Sequence, residues 1–234
     1  MPVLLLARGD AQAKDMLRRA IEARYGVTPP AIDHLQIDLK GRARVKVGPI
    51  QTWVPMDISA QFRFPTASRW DFVVKPAGLA VQRGVEAFDG STYRYLRGNN
   101  APEVSVDEEM ITSLQRRLWA MAAVLLTPLG EHFVELEWQG DYSLRAHNTM
   151  FKDGVSLCLR DDYSLERVEV TCLNPDNHQQ QLFSLRLSQQ QEPVNGIMMP
   201  CRISAYWDDT PYFEAEPVRV ENSTTIPDEV FALG

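Results

Sequence analysis

Across residues 32–81 apolar and polar side chains alternate with a period of two, and no other feature restricts the chain as much. Ile58, Ala60, Phe62 and Phe64 fall on one side, while Asp57, Ser59, Gln61 and Arg63 fall on the other. The pairs Ile37 and Leu39, Val45 and Val47, Trp70 and Phe72, and Leu79 and Val81 repeat the arrangement. Successive side chains of a strand point to opposite faces, so each run describes a strand with one dry face and one wet face. Strands of parallel sheets are covered on both faces and read as continuous apolar runs, so the alternation predicts an antiparallel sheet.

Turn signals divide these runs. Lys75-Pro76-Ala77-Gly78 separates two strands, and Phe88-Asp89-Gly90-Ser91 predicts a hairpin closed by a two-residue Asp-Gly turn, whose positive φ angles glycine supplies without strain. Further strands are expected at 133–138, 142–147, 155–159, 167–172, 182–187, 197–206 and 212–220, with turns at Gln139-Gly140-Asp141, Lys152-Asp153-Gly154 and Arg160-Asp161-Asp162-Tyr163. Short strands with turns at such intervals belong to a barrel, half-barrel or sandwich, and the absence of strand–helix–strand alternation argues against a doubly wound sheet.

Two segments change to a helical period. The first spans residues 11–25, with Met16, Leu17, Ala20, Ile21 and Ala23 as its apolar stripe and Gly26 placed to end it. The second follows Ser105-Val106-Asp107-Glu108, which has the form of a capping box with Ser105 as the cap, and stops before Pro128. Met110, Leu114, Leu118, Met121 and Leu125 recur along it, and every residue of 118–126 is apolar. A helix lying on the outside of a sheet keeps a polar face, so this half is expected to be buried on several sides, inserted into the concavity of a curved sheet.

With 44% hydrophobic and 24% charged residues, the chain has the balance of an ordinary globular fold, so neither disorder nor a membrane-integral class is suggested and a single domain over 1–234 is expected. The net charge of −7 opposes general attraction to phosphate backbones, which argues against a nucleic-acid partner. Cys158, Cys172 and Cys201 are too few and too scattered for a disulfide framework and are expected as buried thiols.

Chemistry-bearing patterns are scarce. His34, His132, His147 and His178 fall in separate segments with no partner at metal-ligand spacing, so neither a metal nor a cofactor is expected. No nucleophile elbow or phosphate-binding glycine loop occurs. Glu135 and Glu137 share one strand face and offer the one carboxylate pair a hydrolase could use, although the alternation with Val134, Leu136 and Trp138 also makes them the wet side of a strand. The remaining signal is an excess of large apolar side chains: Trp53, Phe62, Phe64, Trp70 and Phe72 from the strands, and Met110, Leu114, Leu118, Trp119 and Met121 from the second helix. They either fill each other's space as a core or line a pocket for an apolar ligand.

Three stretches together resemble the LolA-like superfamily of bacterial envelope lipoprotein carriers and lipoproteins. They are the leading helix Asp15-Met16-Leu17-Arg18-Arg19-Ala20-Ile21-Glu22-Ala23-Arg24-Tyr25-Gly26, the hairpin Val85-Glu86-Ala87-Phe88-Asp89-Gly90-Ser91-Thr92-Tyr93-Arg94-Tyr95, and a C-terminal run. That run contains Val194-Asn195-Gly196-Ile197-Met198-Met199-Pro200, then Val220-Glu221-Asn222, and then Ile226-Pro227-Asp228-Glu229-Val230-Phe231. The resemblance implies an α+β fold: a strongly curved antiparallel sheet, or incomplete barrel, covered by helices around an apolar cavity. It implies non-enzymatic binding of lipid, an acyl chain or a lipoprotein, with an envelope sensor or protein-interaction module as a second reading on the same fold. It also implies the periplasm or cell envelope.

As written, the chain would stay in the cytoplasm, because Val3-Leu4-Leu5-Leu6-Ala7 lacks a basic segment before it. With Ala11-Gln12-Ala13 behind it, however, the stretch 1–13 has the form of the tail of a signal peptide. The chain departs from the resemblance in having no lipidation cysteine near its start, and no one of Arg42, Arg44, Arg63 and Arg69 is marked as the arginine that controls the carriers' lid.

Overall fold

A computed structural model describes residues 5–47, 50–75, 82–98, 100–222 and 225–233. Strand β1 (Arg8–Gly9) precedes helix α1 (Ala11–Tyr25). Strands β2 (His34–Val47), β3 (Ile50–Arg63), β4 (Ala67–Val74), β5 (Gln82–Phe88), β6 (Tyr93–Arg97) and β7 (Glu103–Ser105) then form a meander that ends at helix α2 (Glu108–Leu125). A 3-10 turn at Thr127–Gly130 leads into β8 (Val134–Gly140), β9 (Ser143–Asn148), β10 (Asp153–Leu159), β11 (Leu165–Asn174) and β12 (Gln179–Leu187). The ribbon β13 (Gln191–Val194) and β14 (Ile197–Pro200) follows, then β15 (Ile203–Trp207), β16 (Thr210–Asn222) and a 3-10 segment, Asp228–Ala232.

Among the described residues the strands outside the ribbon form one sheet of 14 in the order β1-β8-β9-β10-β11-β12-β15-β16-β2-β3-β4-β5-β6-β7. The pairing of β16 with β2 welds the two meanders together, and every contact is antiparallel except β1 on β8. The sheet is strongly curved but does not close, since β1 and β7 remain as edges. The expected α+β incomplete barrel is therefore what the chain builds. The expected strand around Leu79 and Val81 lies outside the described residues.

Several boundaries differ from the sequence reading for physical reasons. The expected strand 197–206 is two strands, because the chain leaves the ribbon and crosses to the main sheet at Cys201 and Arg202. The Asp-Gly hairpin forms, but its connection is longer than two residues: Asp89 Oδ1 accepts from the amides of Ser91 and Thr92 at 3.0 and 2.8 Å and takes over the turn. Ser105 is held in the ladder opposite Tyr93, so the cap of α2 passes to Asp107, whose carboxylate accepts from Met110 N–H at 2.8 Å. Trp138 stands 42% exposed rather than on the dry side of β8. Of the three thiols, Cys172 is buried, while Cys158 and Cys201 are half-buried. Residues 5–13 pack onto the body, with Ala7 and Ala13 buried and β1 paired to Glu135 and Leu136.

The two helices sit unevenly in the concavity. Helix α1 buries Ala13, Leu17, Ala20 and Ile21 beside β8 and β9; Ala23 is exposed, and the last position of the stripe belongs to Arg24. Helix α2 presses Trp119, Ala120, Ala122 and Ala123 into the core over β10 and β11, and Trp119 Nε1–H donates to the Ala146 carbonyl at 3.1 Å. The apolar half of α2 is buried on several sides, as its composition demands. Its C-terminal carbonyls are held by α1: Arg24 donates to the Val124 carbonyl and to the Gln191 side chain at 3.0 Å, and Tyr25 donates to the Leu125 carbonyl at 3.0 Å. A cation at a helix C-terminus satisfies orphan carbonyls and complements the dipole. Among the described residues Arg24 pairs with no carboxylate, and its burial draws the guanidinium pKa down.

Two stability measurements test this packing. Trp119→Ala should lower the unfolding free energy by about 3–5 kcal/mol, the usual loss for a buried aromatic side chain. Met121→Ala, on the opposite and only half-buried side of α2, should cost about 1 kcal/mol or less. Urea titrations with unchanged slope read both, and equal losses would mean that α2 is packed alike all round.

The hairpin at Asp89 gives a pH test. Partial burial alone would raise its carboxyl, but the Arg94 guanidinium and the Ser91 and Thr92 amides outweigh that and hold it down to about 2. A depressed folded pKa stabilises the fold above the unfolded value near 4, and this contribution is lost as pH falls toward 2. Asp89→Asn should therefore flatten the stability profile between about pH 4 and 2 by roughly 1–2 kcal/mol, allowing for solvent screening. An unchanged acid limb would refute the assignment.

Candidate ligand cavity

Because the helices lie over β8–β12, the concave face of β2–β6, β15 and β16 is left with one side of α2 and the ribbon strand β14 above it, and a cavity of about 920 Å³ opens there. That volume lies at the upper end of the ~300–1,000 Å³ typical of ligand sites. The floor is laid by register. Leu35, Ile37 and Leu39 of β2 stand opposite Phe62, Ala60 and Ile58 of β3, which stand opposite Ser68, Trp70 and Phe72 of β4. Phe62 stacks on Phe64 at 5.2 Å and meets Trp70 edge-on at 5.1 Å. The roof is one stripe of α2 at helical spacing, made by Leu114, Leu118, Met121 and Leu125.

The ring of Phe72 leans sideways toward β5. Its tip occupies the place where a side chain at Gly84 would begin, since a Cβ there would lie 2.2 Å from Phe72 Cζ. Glycine is the one residue that leaves this space, as it does wherever an aromatic group on the next strand approaches the backbone so closely.

Seven of the ten apolar residues singled out in the sequence line this space: Phe62, Phe64, Trp70, Phe72, Leu114, Leu118 and Met121. Trp53, Met110 and Trp119 do not. Trp53 shares its parity with Asp57 and Ser59, which puts it on the convex face, where the Arg42 guanidinium lies 4.7 Å from its ring. Met110 belongs to the first turn of α2, outside the cavity, and Trp119 is a core residue with its indole N–H satisfied. Glu135 and Glu137 are exposed on β8, opposite His147 and Arg145, and neither lines the cavity. Among the described residues no three His, Cys, Asp or Glu side chains gather as a metal site would need.

Polar lining residues escaped the sequence reading. Arg117 lies on the same stripe of α2, Tyr93 and Arg97 come from β6, Glu86 from β5, and Trp207 and Tyr212 from β15 and β16. Burial is the main force on both tyrosines, with Glu86 adding to it and Arg117 opposing; it raises the Tyr93 hydroxyl and pushes Tyr212 up to about 12. Both therefore stay protonated at any physiological pH. The signal for Arg117 was available, since it sits three residues after Leu114 and four before Met121, within the apolar stripe itself.

The arginine that grips α2 is Arg24, which is none of Arg42, Arg44, Arg63 and Arg69. Arg42 pairs with Glu214 at 2.8 Å. Arg63 pairs with Asp228 and lies over the Phe231 ring, and Arg69 pairs with Asp71 and donates to the Val230 carbonyl at 3.0 Å. Those last two hold the C-terminal 3-10 segment against the sheet.

No family profile matches the sequence, and no curated protein does. Solved structures do match by shape. A LolA superfamily protein from Nitrosomonas europaea aligns over 94% of this chain and 96% of its own, with a TM-score of 0.51 and 13% identity. A domain from Vibrio parahaemolyticus, described as an outer membrane lipoprotein-sorting protein, aligns over 94% and 97%, with a TM-score of 0.50 and 9% identity. At such identity the likeness speaks for the fold, and with the open curved sheet and its asymmetric helical cover it gives one conclusion: this chain has the LolA-like fold.

Proposed function

We propose that this protein is a non-enzymatic binder of acyl chains, taking a lipid or the lipid moiety of a lipoprotein into the cavity beneath α2. The observation that carries the reading is a space of about 920 Å³ walled by aliphatic and aromatic side chains that do not fill it. A packed core has few voids larger than a water molecule, so an unfilled hollow of this size is a place for a guest. Each CH₂ of a chain buried there gains about 0.8 kcal/mol, without any ionisable group being asked to react. The chain would then work in the periplasm or cell envelope, where such guests are handed between membranes.

Displacement of a fluorescent fatty-acyl probe tests this reading. Leu114→Asn and Met121→Gln place polar groups in the roof and should weaken binding roughly tenfold or more, since burial of one such side chain's area is worth about 1.5–3 kcal/mol. Glu135→Gln and Glu137→Gln, outside the cavity, should leave affinity unchanged. Failure of every acyl probe to bind the wild type, together with Glu-dependent turnover of an ester or glycoside, would replace the carrier reading with the hydrolase one. N-terminal sequencing of the protein from its own cells tests its residence in the envelope: recovery with residue 1 or 2 intact from cytosol would end it.

A further inference from the structure

The apolar wall accounts for a tail but leaves the polar lining unused. Arg117 is the sharpest case. Its neighbour Arg116 turns to the other side of α2, pairs with Asp153 and donates to the Thr171 carbonyl at 3.0 Å. Arg117 makes no hydrogen bond or ion pair among the described residues, and its buried Nε has no acceptor. Trp207 lines the same cavity, and its buried Nε1 also lacks one. Guanidinium and indole nitrogens can only donate, and a buried donor without an acceptor is costly, so these groups call for a guest that brings acceptor oxygens.

The position of the charge relative to the mouth is also defined. Arg97, Asp176 and Asn177 are exposed lining residues and mark the opening, while Leu125 is almost wholly buried at the far end of the stripe. Arg117 lies between them. Of the two lining carboxylates, Glu86 lies against the Tyr93 hydroxyl, and Asp176 is in water at the rim, so neither neutralises Arg117 by a direct pair.

We propose that the cavity takes an amphiphile with an anionic head, a carboxylate or a phosphate ester, seated on Arg117 inside and Arg97 at the mouth, with its tail running along Leu118 and Met121 toward Phe62. A guanidinium bonded to an anion gives a charge-assisted contact that a neutral ester or alcohol cannot match. The inference rests on the acyl-chain reading of the same space and goes beyond it by choosing the head.

Competition against a neutral pyrene-labelled acyl probe separates the two. The competitors, each below its micellar limit, are oleate against methyl oleate and hexadecyl phosphate against hexadecanol. In at least one pair the anion should bind about tenfold or more tighter, the scale of one charge-assisted hydrogen bond; the pair that shows it identifies carboxylate or phosphate. Arg117→Gln should remove that preference while the neutral competitors keep their affinity, and Arg117→Lys should restore part of it. Equal affinities within both pairs on the wild type overturn the anionic head and leave the acyl-chain reading standing, and this comparison needs no variant to fold. Equal loss of neutral and anionic ligands in Arg117→Gln, with none regained in Arg117→Lys, overturns the role of Arg117. Failure of the probe and of all four competitors to bind overturns both readings.

Discussion

The apolar stretch at residues 118–126 cannot be left in water, and the fold is organised around hiding it. A curved sheet of 14 strands offers one long concave face, and α2 enters it off centre. Trp119 and the small residues Ala120, Ala122 and Ala123 let the helix sit close over β10 and β11. The same close seat draws it away from β2–β6. Dense packing on one side and open space on the other are thus two results of one placement. Arg24 and Tyr25 fix the depth of that placement by holding the last carbonyls of α2, where no polar residue of α2 itself is available to do so.

Much of this could be read from periodicity because burial writes itself directly into the alternation of a strand and the stripe of a helix. The 57–64 run named both faces of β3, and the unbroken apolar half of α2 announced its own enclosure. The same rule, applied strictly, would have removed Trp53, whose odd position puts it with Asp57 and Ser59. What the sequence could not give was the identity of the partner across space. Ser105 has the form of a cap but is held in a strand pairing, so Asp107 takes the role. Arg24 has the form of a surface residue at the end of α1, but a carbonyl of α2, one hundred residues away in the chain, makes its burial tolerable. Residues 8–9 carry no strand signal of their own; β1 exists because β8 supplies a parallel edge for it.

The cavity shows the same division. Its apolar walls were predictable as a class, since seven of the ten residues chosen by size and spacing do line it. Its polar lining was not, because Arg117, Tyr93 and Tyr212 lie on elements far apart in the chain and meet only once the two meanders are joined at β16 and β2. Such groups are individually unremarkable in sequence. Brought together in a space of low polarity, they become the part of the lining that can tell one guest from another.

The sideways lean of Phe72 bears on how much the protein can hold. An aromatic ring that stands upright from a sheet takes its own height from the space above it, whereas this one lies over the bare backbone of Gly84. The capacity of the cavity is therefore set partly by a residue that contributes no side chain at all. A lineage that acquired alanine at position 84 would raise the ring into the chamber and select shorter or thinner guests, with no change to any residue that touches them.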